Sequence, residues 1–530
     1  MIGFLRRHPI LRASFILLLL LVLSGTALLG WRMRGPYRDY RLDTAMASHA
    51  MEGPGTFHAG AAKRDITPDL DAYDTWTDVS GTNRYEPARG DTYEDRTGSG
   101  RFDPVWLGGF NYARAATGVN DPLWVRAIAV RNNGVTVVLV SIDSVGIFHD
   151  RFITVRNTLD PTLEIGHVLF SSTHTHSAPD TMGLWSYRYI LNRLDEAYIE
   201  HVQAMCVEAI EEAVRNLEPA AAIHARVEIE PEGHVRDTRE PIVYDRILGA
   251  VQFVGETSGE TIATMFSWGN HPEALDANNT VITSDFPHYW REGVENGVAD
   301  PHGVEGLGGV AVFFQGMCGG LMTPLNLEVT HRSGAYTVSE NSVEKAEILG
   351  ENLAILTVNA LRGGAAVRVD NPGVAFAART VFVPVETHFR WAIMLGVLHP
   401  GWFWGYARTE VNAIRIGDVE LLSTPGELYP EIGDGGVEAP EGGDFPGPPR
   451  EVPPLRERMG GELNLIIGLA NDAIGYIIPK TQWDTEPPHA YGRTSPPYGE
   501  VNSAGPNAAP ALHEASLDLL GRLHGVIGGE

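Results

Sequence analysis

Cysteine is scarce in this sequence of 530 residues and occurs only twice, as Cys206 and Cys318. Cys206 falls in a stretch with helical spacing of apolar residues, and Cys318 falls in a glycine-rich loop. The two thiols could pair, although nothing in the sequence requires it. Two cysteines are too few for a cysteine-rich metal site or a small disulfide scaffold, so both classes of protein are excluded.

Basic residues are also few compared with acidic residues. Lysine and arginine together number 40, against 67 aspartates and glutamates, which gives a formal net charge of -27 at pH 7. Such a chain would repel a polyanion, and this excludes nucleic acid as a partner. The hydrophobic share of 43% is ordinary for a globular protein, so the chain has ample material for a core.

Charge of either sign is absent from one long run near the N-terminus. Residues 13–31 are nineteen uncharged residues, flanked by Arg12 and Arg32. As a helix this run approaches the roughly 30 Å of a bilayer core, and no clear small-x-small cleavage site follows it. Residues 1–36 are therefore predicted to be a signal anchor or a signal peptide. Residues 37–530 are then expected outside the cytoplasm, either anchored to a membrane of the cell envelope or secreted.

Apolar runs and helical patterns alternate irregularly along the rest of the chain. The runs at 125–130 and 135–140 flank Asn133-Gly134, a dipeptide suited to a tight hairpin turn because both positions tolerate positive φ. The predicted fold class is α/β, with mixed β-sheets and flanking helices in a single large domain. Helices are predicted at 191–217 and 339–361, and further strands at 222–229, 250–254, 263–268, 310–314, 375–385, 411–416, 419–423 and 463–470.

An acidic insertion is predicted at about 70–104. It contains an internal repeat, in which TDVSGTNRYEP (77–87) realigns on EDRTGSGRFDP (94–104). Oxygen-bearing residues recur at alternate positions, so Asp78, Asp95 and Asp103 are candidate calcium ligands. Both copies lack a carboxylate at the twelfth position of a calcium loop, and a solvated, turn-rich insertion is the alternative. A second segment, the Pro- and Gly-rich loop at 438–454, is predicted to be a surface flap.

The stretch SSTHTHSAPD (171–180) is the first candidate for chemistry. It places His174 and His176 just after the apolar run 167–170. Residues i and i+2 of an extended chain point to the same side, so both imidazoles could reach one ligand or metal.

Three other stretches carry a metal-competent side chain just after an apolar run. They are SWGNHPEAL with His271, STPGELYPEIG with Glu427 and GLANDAIGYI with Tyr476. Polar groups at the ends of strands tend to gather on one rim of an α/β sheet, where a binding crevice forms. From spacing alone, ordinary loop residues are an equal alternative.

Taken in order, these stretches resemble motifs of the neutral and alkaline non-lysosomal ceramidases. STHTHSAP resembles their Thr-His-Thr-His-Ser-Gly-Pro motif, GLANDAIGYI their Asn-x-Tyr-x-x-Tyr stretch, and STPGELYPEIG a Pro-Gly-Glu turn. The segments ATGVNDPLWVRAIAV (116–130) and YGEVNSAGPNAAPAL (498–512) are also similar to the family. The resemblance covers residues 58–525 in patches. It implies the family's catalytic domain without the immunoglobulin-like C-terminal domain of the longer members.

The resemblance implies a zinc-dependent amidase. Transferred by motif, the zinc ligands would be His174, His271, Glu427 and Tyr476, and His176 would orient or protonate the substrate. Imidazole nitrogen and carboxylate oxygen are common zinc ligands, and an open position can hold a nucleophilic water. The expected reaction is attack of a zinc-bound water on the amide bond of ceramide or a related N-acyl lipid. A small amphipathic lipid is then the expected partner, and the N-terminal segment is the expected membrane contact.

Some residues depart from the family pattern. The Gly-Asp-Val-Ser-Pro motif falls on CGGLMTPLN, which puts Leu321 at the aspartate position and Thr323 at the serine position. Thr323 is therefore a candidate catalytic residue whose contribution is open. Ala473 replaces the first tyrosine of the Asn-x-Tyr-x-x-Tyr stretch.

Two alternatives stay open at this point. One is an ester or lactone substrate for the same zinc site, and the other is an inactive membrane-anchored binding protein of the same fold. Three aromatic residues are candidates for an apolar slot that would hold an acyl chain, and a purely structural role is the alternative: Trp185, Tyr187 and Tyr189.

Overall fold

The computed structural model describes residues 9–48, 56–187, 194–299, 301–395, 398 and 402–529. Its helices are α1 (Pro9–Arg34), α2 (His149–Thr158), α3 (Glu196–Arg215), α4 (Phe286–Asn296), α5 (Val343–Arg362), α6 (Thr387–Leu395), α7 (Pro430–Asp434), α8 (Tyr498–Val501) and α9 (Ala508–Gly528). Its strands are β1 (Asp43–Ala47), β2 (His58–Asp65), β3 (Thr75–Thr77), β4 (Thr92–Glu94), β5 (Gly118–Val119), β6 (Trp124–Asn132), β7 (Val135–Ile142), β8 (His167–Ser172), β9 (Glu218–Glu228), β10 (Ile247–Gly255), β11 (Thr261–Trp268), β12 (Val281–Ile282), β13 (Gly297–Val298), β14 (Val304–Glu305), β15 (Val310–Gln315), β16 (Val329–Thr330), β17 (Thr337–Val338), β18 (Val367–Val369), β19 (Val374–Pro384), β20 (Trp402–Phe403), β21 (Tyr406–Ile416), β22 (Val419–Ser423), β23 (Glu427–Leu428), β24 (Leu463–Ile467) and β25 (Tyr476–Ile477).

Most of the predicted elements are present, with shifted ends. The β6–β7 hairpin turns at Asn133 and Gly134, whose φ angles are 43° and 80°. The strand predicted at 463–470 ends earlier, at Ile467, because Leu469 and Asn471 adopt positive φ. The helix predicted from residue 191 is observed from Glu196, and residues 191–193 lie outside the described part of the chain.

Two large mixed sheets form the body of the molecule. The nine-stranded sheet has the order β15-β11-β10-β9-β2-β6-β7-β8, with β18 also paired to β9. The six-stranded sheet has the order β1-β19-β21-β22-β24, with β20 also paired to β21. The β7–β8, β11–β15 and β22–β24 pairs are parallel, whereas the other pairs within these sheets are antiparallel.

The two large sheets pack face to face and share one apolar core. Leu139, Phe253 and Phe314 contribute from the nine-stranded sheet, and Phe376 and Leu465 contribute from the six-stranded sheet. Helices α2 and α3 cover one half of the outer face of the nine-stranded sheet, and α4 and α5 cover the other half. Helix α9 covers the six-stranded sheet. The layers therefore run helix, sheet, sheet, helix, which is the predicted α/β class in one large domain.

The nine-stranded sheet curls, and this brings distant strand ends together. The Nε2 atom of Gln315, at the end of β15, donates to the carbonyl of Thr173 just after β8 (3.1 Å). The same amide nitrogen donates to the carbonyl of Asn270 just after β11 (2.9 Å). The backbone amide of Gly468, just after β24, donates to the carbonyl of Gln315 (2.8 Å). The ends of β8, β11, β15 and β24 consequently meet at one place.

The two inserted segments differ in character. Residues 438–454 contain no helix or strand. The insertion at about 70–104 contains the short β3–β4 pair and adds Tyr85 and Phe102 to a small aromatic cluster with Trp106. Cys206 and Cys318 are both buried free thiols, so they do not form a disulfide.

Candidate metal centre

His174 lies just past β8 in a strained backbone conformation. Its φ is +69°, a region that residues other than glycine seldom adopt and that clusters at functional sites. The Nδ1 atom lies 2.6 Å from the carbonyl oxygen of Val145, which fixes the ring and directs Nε2 towards Glu427. The distance from His174 Nε2 to Glu427 Oε2 is 3.5 Å.

His271 approaches the same carboxylate from β11. Its Nδ1 lies 2.6 Å from the carbonyl oxygen of Met322, and its Nε2 lies 3.1 Å from Glu427 Oε2. Burial alone would lower the pKa of His271, but the contact with Glu427 and the charge of Glu273 raise it to about 9. Burial likewise acts to raise the pKa of Glu427, but the imidazoles of His174 and His271 hold it well below its ordinary value.

Tyr476 stands directly opposite Glu427. The two residues are register partners in the short parallel β23–β25 pair, and both line the same cavity as His174. Burial and the charge of Glu427 raise the pKa of the Tyr476 phenol well above 10. A phenolate here therefore requires a cation close by.

His176 belongs to the same cluster but faces a second carboxylate. Its Nε2 lies 3.3 Å from His174 Nε2, and its Nδ1 lies 3.2 Å from Glu273 Oε2. Burial lowers the pKa of His176 to about 4, against the opposing effect of Glu273. The pKa of Glu273 falls below its ordinary value even though burial acts to raise it, because His176, His271 and the Thr323 hydroxyl all interact with the carboxylate.

A glycine makes room for His176. Gly109 has a φ of +101°, and a Cβ at this position would lie 2.4 Å from Cγ of His176. The ring of Phe110 packs edge to face against the imidazole of His176, with 4.8 Å between the ring centroids. The guanidinium of Arg114 donates to the carbonyls of Gly108 and His176, both at 2.6 Å, and ties this loop to the histidine stretch.

Cys318 also lies at the centre. Two overlapping sets of three residues have potential ligand atoms within 4.8 Å of one another. The first set is His174, His176 and His271, and the second is His271, Cys318 and Glu427. Burial, with the charge of Glu427, raises the pKa of the thiol well above its ordinary value. Like the phenol of Tyr476, this thiol would ionise only beside a cation.

Three members of the cluster, His174, His176 and Glu427, line a cavity of about 150 Å³ with largely apolar walls. Trp185 contributes to these walls, as the sequence suggested. Tyr187 instead packs against Tyr85 and Trp106, and Tyr189 lies outside the described residues. The remaining apolar walls include Phe148, Met182, Leu184, Phe389, Leu398 and Ile474. A larger cavity of about 770 Å³ beside the acidic insertion contains none of the clustered histidines.

The aspartates of the acidic repeat cap turns. The carboxylate of Asp78 accepts the amides of Gly81 (2.7 Å) and Asn83 (2.8 Å). Asp95 accepts the amide of Gly100 at 2.9 Å in the second copy, and Asp103 accepts the hydroxyl of Ser99 at 2.6 Å. These bonds stabilise the loops without a cation, and a calcium site at these three residues stays a prediction.

Comparison with solved structures relates this architecture to a known one. The chain is similar to the crystal structure of the neutral ceramidase from Pseudomonas aeruginosa, with a TM-score of 0.61, 17% sequence identity, and coverage of 88% of this chain and 74% of the other. It is similar to a second structure, "Ceramidase complexed with C2", with a TM-score of 0.61, 16% identity, and coverage of 88% and 75%. No protein-family model and no curated protein matches the sequence. The chain therefore has the neutral ceramidase fold, as the motifs indicated.

Of the residues that the resemblance selected for zinc, His174 and His271 both approach the carboxylate of Glu427, and Tyr476 lines the same cavity as His174 and Glu427. Zinc binding by these four residues stays a prediction. Sequence reasoning missed two members of the cluster, Glu273 and Cys318. Glu273 had a signal, because it follows His271 at i+2, the spacing that had drawn attention to the histidine pair. Cys318 had none, because its position depends on where β15 ends.

Proposed function

We propose that this protein is a zinc-dependent hydrolase that cleaves the amide bond of ceramide or a related N-acyl lipid. The observation that carries the proposal is the approach of His174 and His271 to the carboxylate of Glu427, in a cluster that borders an apolar cavity. Both of the similar solved structures are ceramidases, which supports an N-acyl lipid as the substrate class.

The donor set fits zinc. His174 and His271 each commit Nδ1 to a backbone carbonyl at 2.6 Å, so the Nε2 lone pair of each ring faces the carboxylate of Glu427. Lone pairs that face one another repel unless a proton or a cation lies between them, and bonding of the distal ring nitrogen is the usual support for a zinc-binding histidine. Tyr476 would be the fourth ligand. Zinc bound by this set would polarise a substrate carbonyl and acidify a water molecule.

His176 and Glu273 would move the proton. Burial favours the neutral imidazole, and the ionised carboxylate of Glu273 lies 3.2 Å from its Nδ1, so its Nε2 can take up a proton from water. The resulting imidazolium is stabilised by Glu273 and can give the proton to the amine nitrogen as the carbon–nitrogen bond breaks. Thr323 touches Glu273 and also accepts the amide of Leu325 at 3.0 Å. We assign Thr323 a positioning role through Glu273.

The N-terminal helix would place the protein in the cell envelope. The window Arg12–Trp31 in α1 is twenty residues long, has a mean hydropathy of 2.4, and is not buried by the rest of the chain. A signal sequence would have the same properties. We propose that α1 anchors the protein in a membrane with the catalytic domain on the extracytoplasmic side.

Elemental analysis of the full chain in detergent, combined with a panel of N-acyl lipids and their ester analogues, tests this function. We expect about one zinc per chain and release of fatty acid from the amide. His271→Ala should lose the zinc, whereas His167→Ala, a buried histidine outside the cluster, should keep it. Absence of zinc from the wild-type protein would reject the site. If the protein contains zinc but cleaves only the ester analogues, the substrate is an ester rather than an amide. If it contains zinc and cleaves neither kind of lipid, it is an inactive binding protein.

A further inference from the structure

Helix α6 carries apolar side chains on two opposite faces. Phe389 and Ile393, one helical turn apart, point inward, since Phe389 lines the metal cavity and Ile393 is buried. Trp391 and Leu395, also one turn apart, point outward and are 56% and 71% exposed. A helix with apolar residues on both faces normally has an apolar neighbour on each side. We therefore expect the exposed outer face of α6 to contact a second apolar surface.

The turn between β20 and β21 lies beside α6, because a Cβ at Gly405 would lie 3.1 Å from Nε of Arg390, and the turn carries two more exposed aromatic residues. Trp404 is 49% exposed and Tyr406 is 44% exposed. Trp404 occupies the turn in a left-handed conformation, with a φ of +50°. The membrane-facing patch, as we name it, comprises Trp391, Leu395, Trp404 and Tyr406. Several exposed apolar side chains on neighbouring elements indicate a contact with a protein, a ligand or a membrane.

The C-terminal end of α1 indicates which partner covers this patch. Helix α1 contacts both α6 and β20. The amide of Trp404 donates to the carbonyl of Met33 at 2.5 Å, and the guanidinium of Arg34 lies 5.8 Å from the centre of the Trp404 ring. Trp31, at the end of the apolar window, is itself exposed. If α1 spans a bilayer, the patch is held where the helix leaves the hydrocarbon, at the depth that Trp and Tyr favour.

The distribution of charge fits an anionic lipid surface. The chain has 67 acidic residues, yet none lies before Asp39 and none lies within 387–409. Both segments contain arginine, including Arg34 and Arg38 after the apolar window and Arg390 in α6. Basic side chains beside a membrane helix are attracted to anionic lipid headgroups. Both segments that form the patch are thus free of negative charge, although the chain as a whole is strongly acidic.

We propose that the membrane-facing patch rests on the bilayer that α1 spans, and that an N-acyl lipid passes beside α6 into the metal cavity without leaving the membrane. The contact of the patch with the bilayer, called the seating below, is inferred from α1 and the exposed aromatic residues. The entry route also rests on the proposed function, because it requires a lipid substrate. Phe389 and Leu398 line the cavity, so the chain segment that touches the lipid on one side contributes the cavity wall on the other.

Spin labelling of the full chain tests the seating directly. Both native cysteines are buried and burial raises the pKa of each thiol, so a new exposed cysteine can be labelled selectively. Labels at Trp391→Cys and Leu395→Cys, in vesicles of phosphatidylcholine and phosphatidylglycerol, should collide with oxygen more than with a water-soluble nickel complex. Val79→Cys is the matched control, because Val79 is an exposed apolar residue within the acidic insertion. Labels at 391 and 395 that are as water-accessible as the label at 79 would overturn the seating.

Comparison of two substrates tests the entry route. Trp391→Ser combined with Leu395→Ser should lower hydrolysis of a long-chain N-acyl lipid in vesicles by about tenfold, through loss of apolar contact with the bilayer. Hydrolysis of a short-chain, water-soluble N-acyl substrate should change little, and Ile242→Ser, an exposed residue outside the patch, should affect neither rate. Equal losses on both substrates would overturn the route. Hydrolysis of neither substrate by the wild-type protein would reject the proposed function and the route with it, while the label positions would still decide the seating.

Discussion

The Nδ1 atom of His176 lies 3.2 Å from Oε2 of Glu273, and both side chains are buried beside the candidate metal centre. The carboxylate is therefore close enough to the imidazole to stabilise its protonated form. Such a pair is a common basis for proton transfer in hydrolases.

Glu273→Gln is expected to lower turnover while zinc stays bound. The amide keeps the size of the side chain but cannot stabilise the imidazolium of His176, so kcat should fall by about 10²- to 10⁴-fold. Elemental analysis and a pH–rate profile check this expectation. Thr323→Val should give a smaller loss in the same direction, because it removes one contact to Glu273. Loss of zinc in Glu273→Gln would instead make Glu273 part of the metal site.

Cobalt substitution should identify the remaining ligand. If Tyr476 binds the metal, Tyr476→Phe should alter the visible spectrum of the cobalt protein, and Cys318→Ser should leave it unchanged. A thiolate–cobalt charge-transfer band that disappears in Cys318→Ser would assign the position to Cys318 instead. Both residues need the cation in order to ionise, because burial raises the pKa of the phenol and of the thiol.

A buried ion pair outside the metal centre should govern stability in acid. The guanidinium of Arg156 donates to both carboxylate oxygens of Glu410, at 2.6 and 2.7 Å. Burial acts to raise the pKa of Glu410, but Arg156 lowers it to about 2. The folded state therefore binds this proton less readily than the unfolded state, whose glutamate pKa is about 4.3. The contribution to stability is present above about pH 4.3 and is lost as the pH falls towards about 2.

Arg156→Leu should lower the free energy of unfolding by about 3–5 kcal/mol at pH 7, because Glu410 is left charged and buried. The loss should shrink as the pH falls, since a protonated Glu410 no longer needs the partner. Arg156→Leu combined with Glu410→Leu is the control and should cost less than the single variant at neutral pH. Urea denaturation at a series of pH values measures all three proteins. A loss in Arg156→Leu that is independent of pH would contradict this account.

Calcium binding by the acidic repeat is a separate expectation. If Asp78 and Asp95 bind calcium, added calcium should raise the melting temperature of the wild-type protein, and Asp78→Asn combined with Asp95→Asn should abolish the rise. The asparagine side chains still have an oxygen to accept the backbone amides of the two turns, so the loops should persist. If calcium does not change the melting temperature of the wild-type protein, calcium binding is rejected and these aspartates only cap the turns.

Local features of the fold could be predicted from the sequence. Asn133-Gly134 specifies its hairpin because both residues accept positive φ without help from the rest of the chain. The early end of β24 could not be predicted, because the apolar run continues through Leu469 while the backbone there turns left-handed to meet β8. Periodicity reports which residues are apolar, but it does not report where tertiary contacts bend the chain.

The sequence by itself indicated the fold, because the order of the motifs around His174, His271, Glu427 and Tyr476 resembles that of the neutral ceramidases, and the solved structures share this architecture. The ligand set that the resemblance implies stays a prediction. Only the tertiary structure decided which groups share the centre. The curl of the nine-stranded sheet joins the ends of β8 and β11, which lie far apart in the strand order, and brings Glu273 and Cys318 into the cluster. Contacts between segments far apart in sequence leave no periodic trace, so the structure alone reveals them.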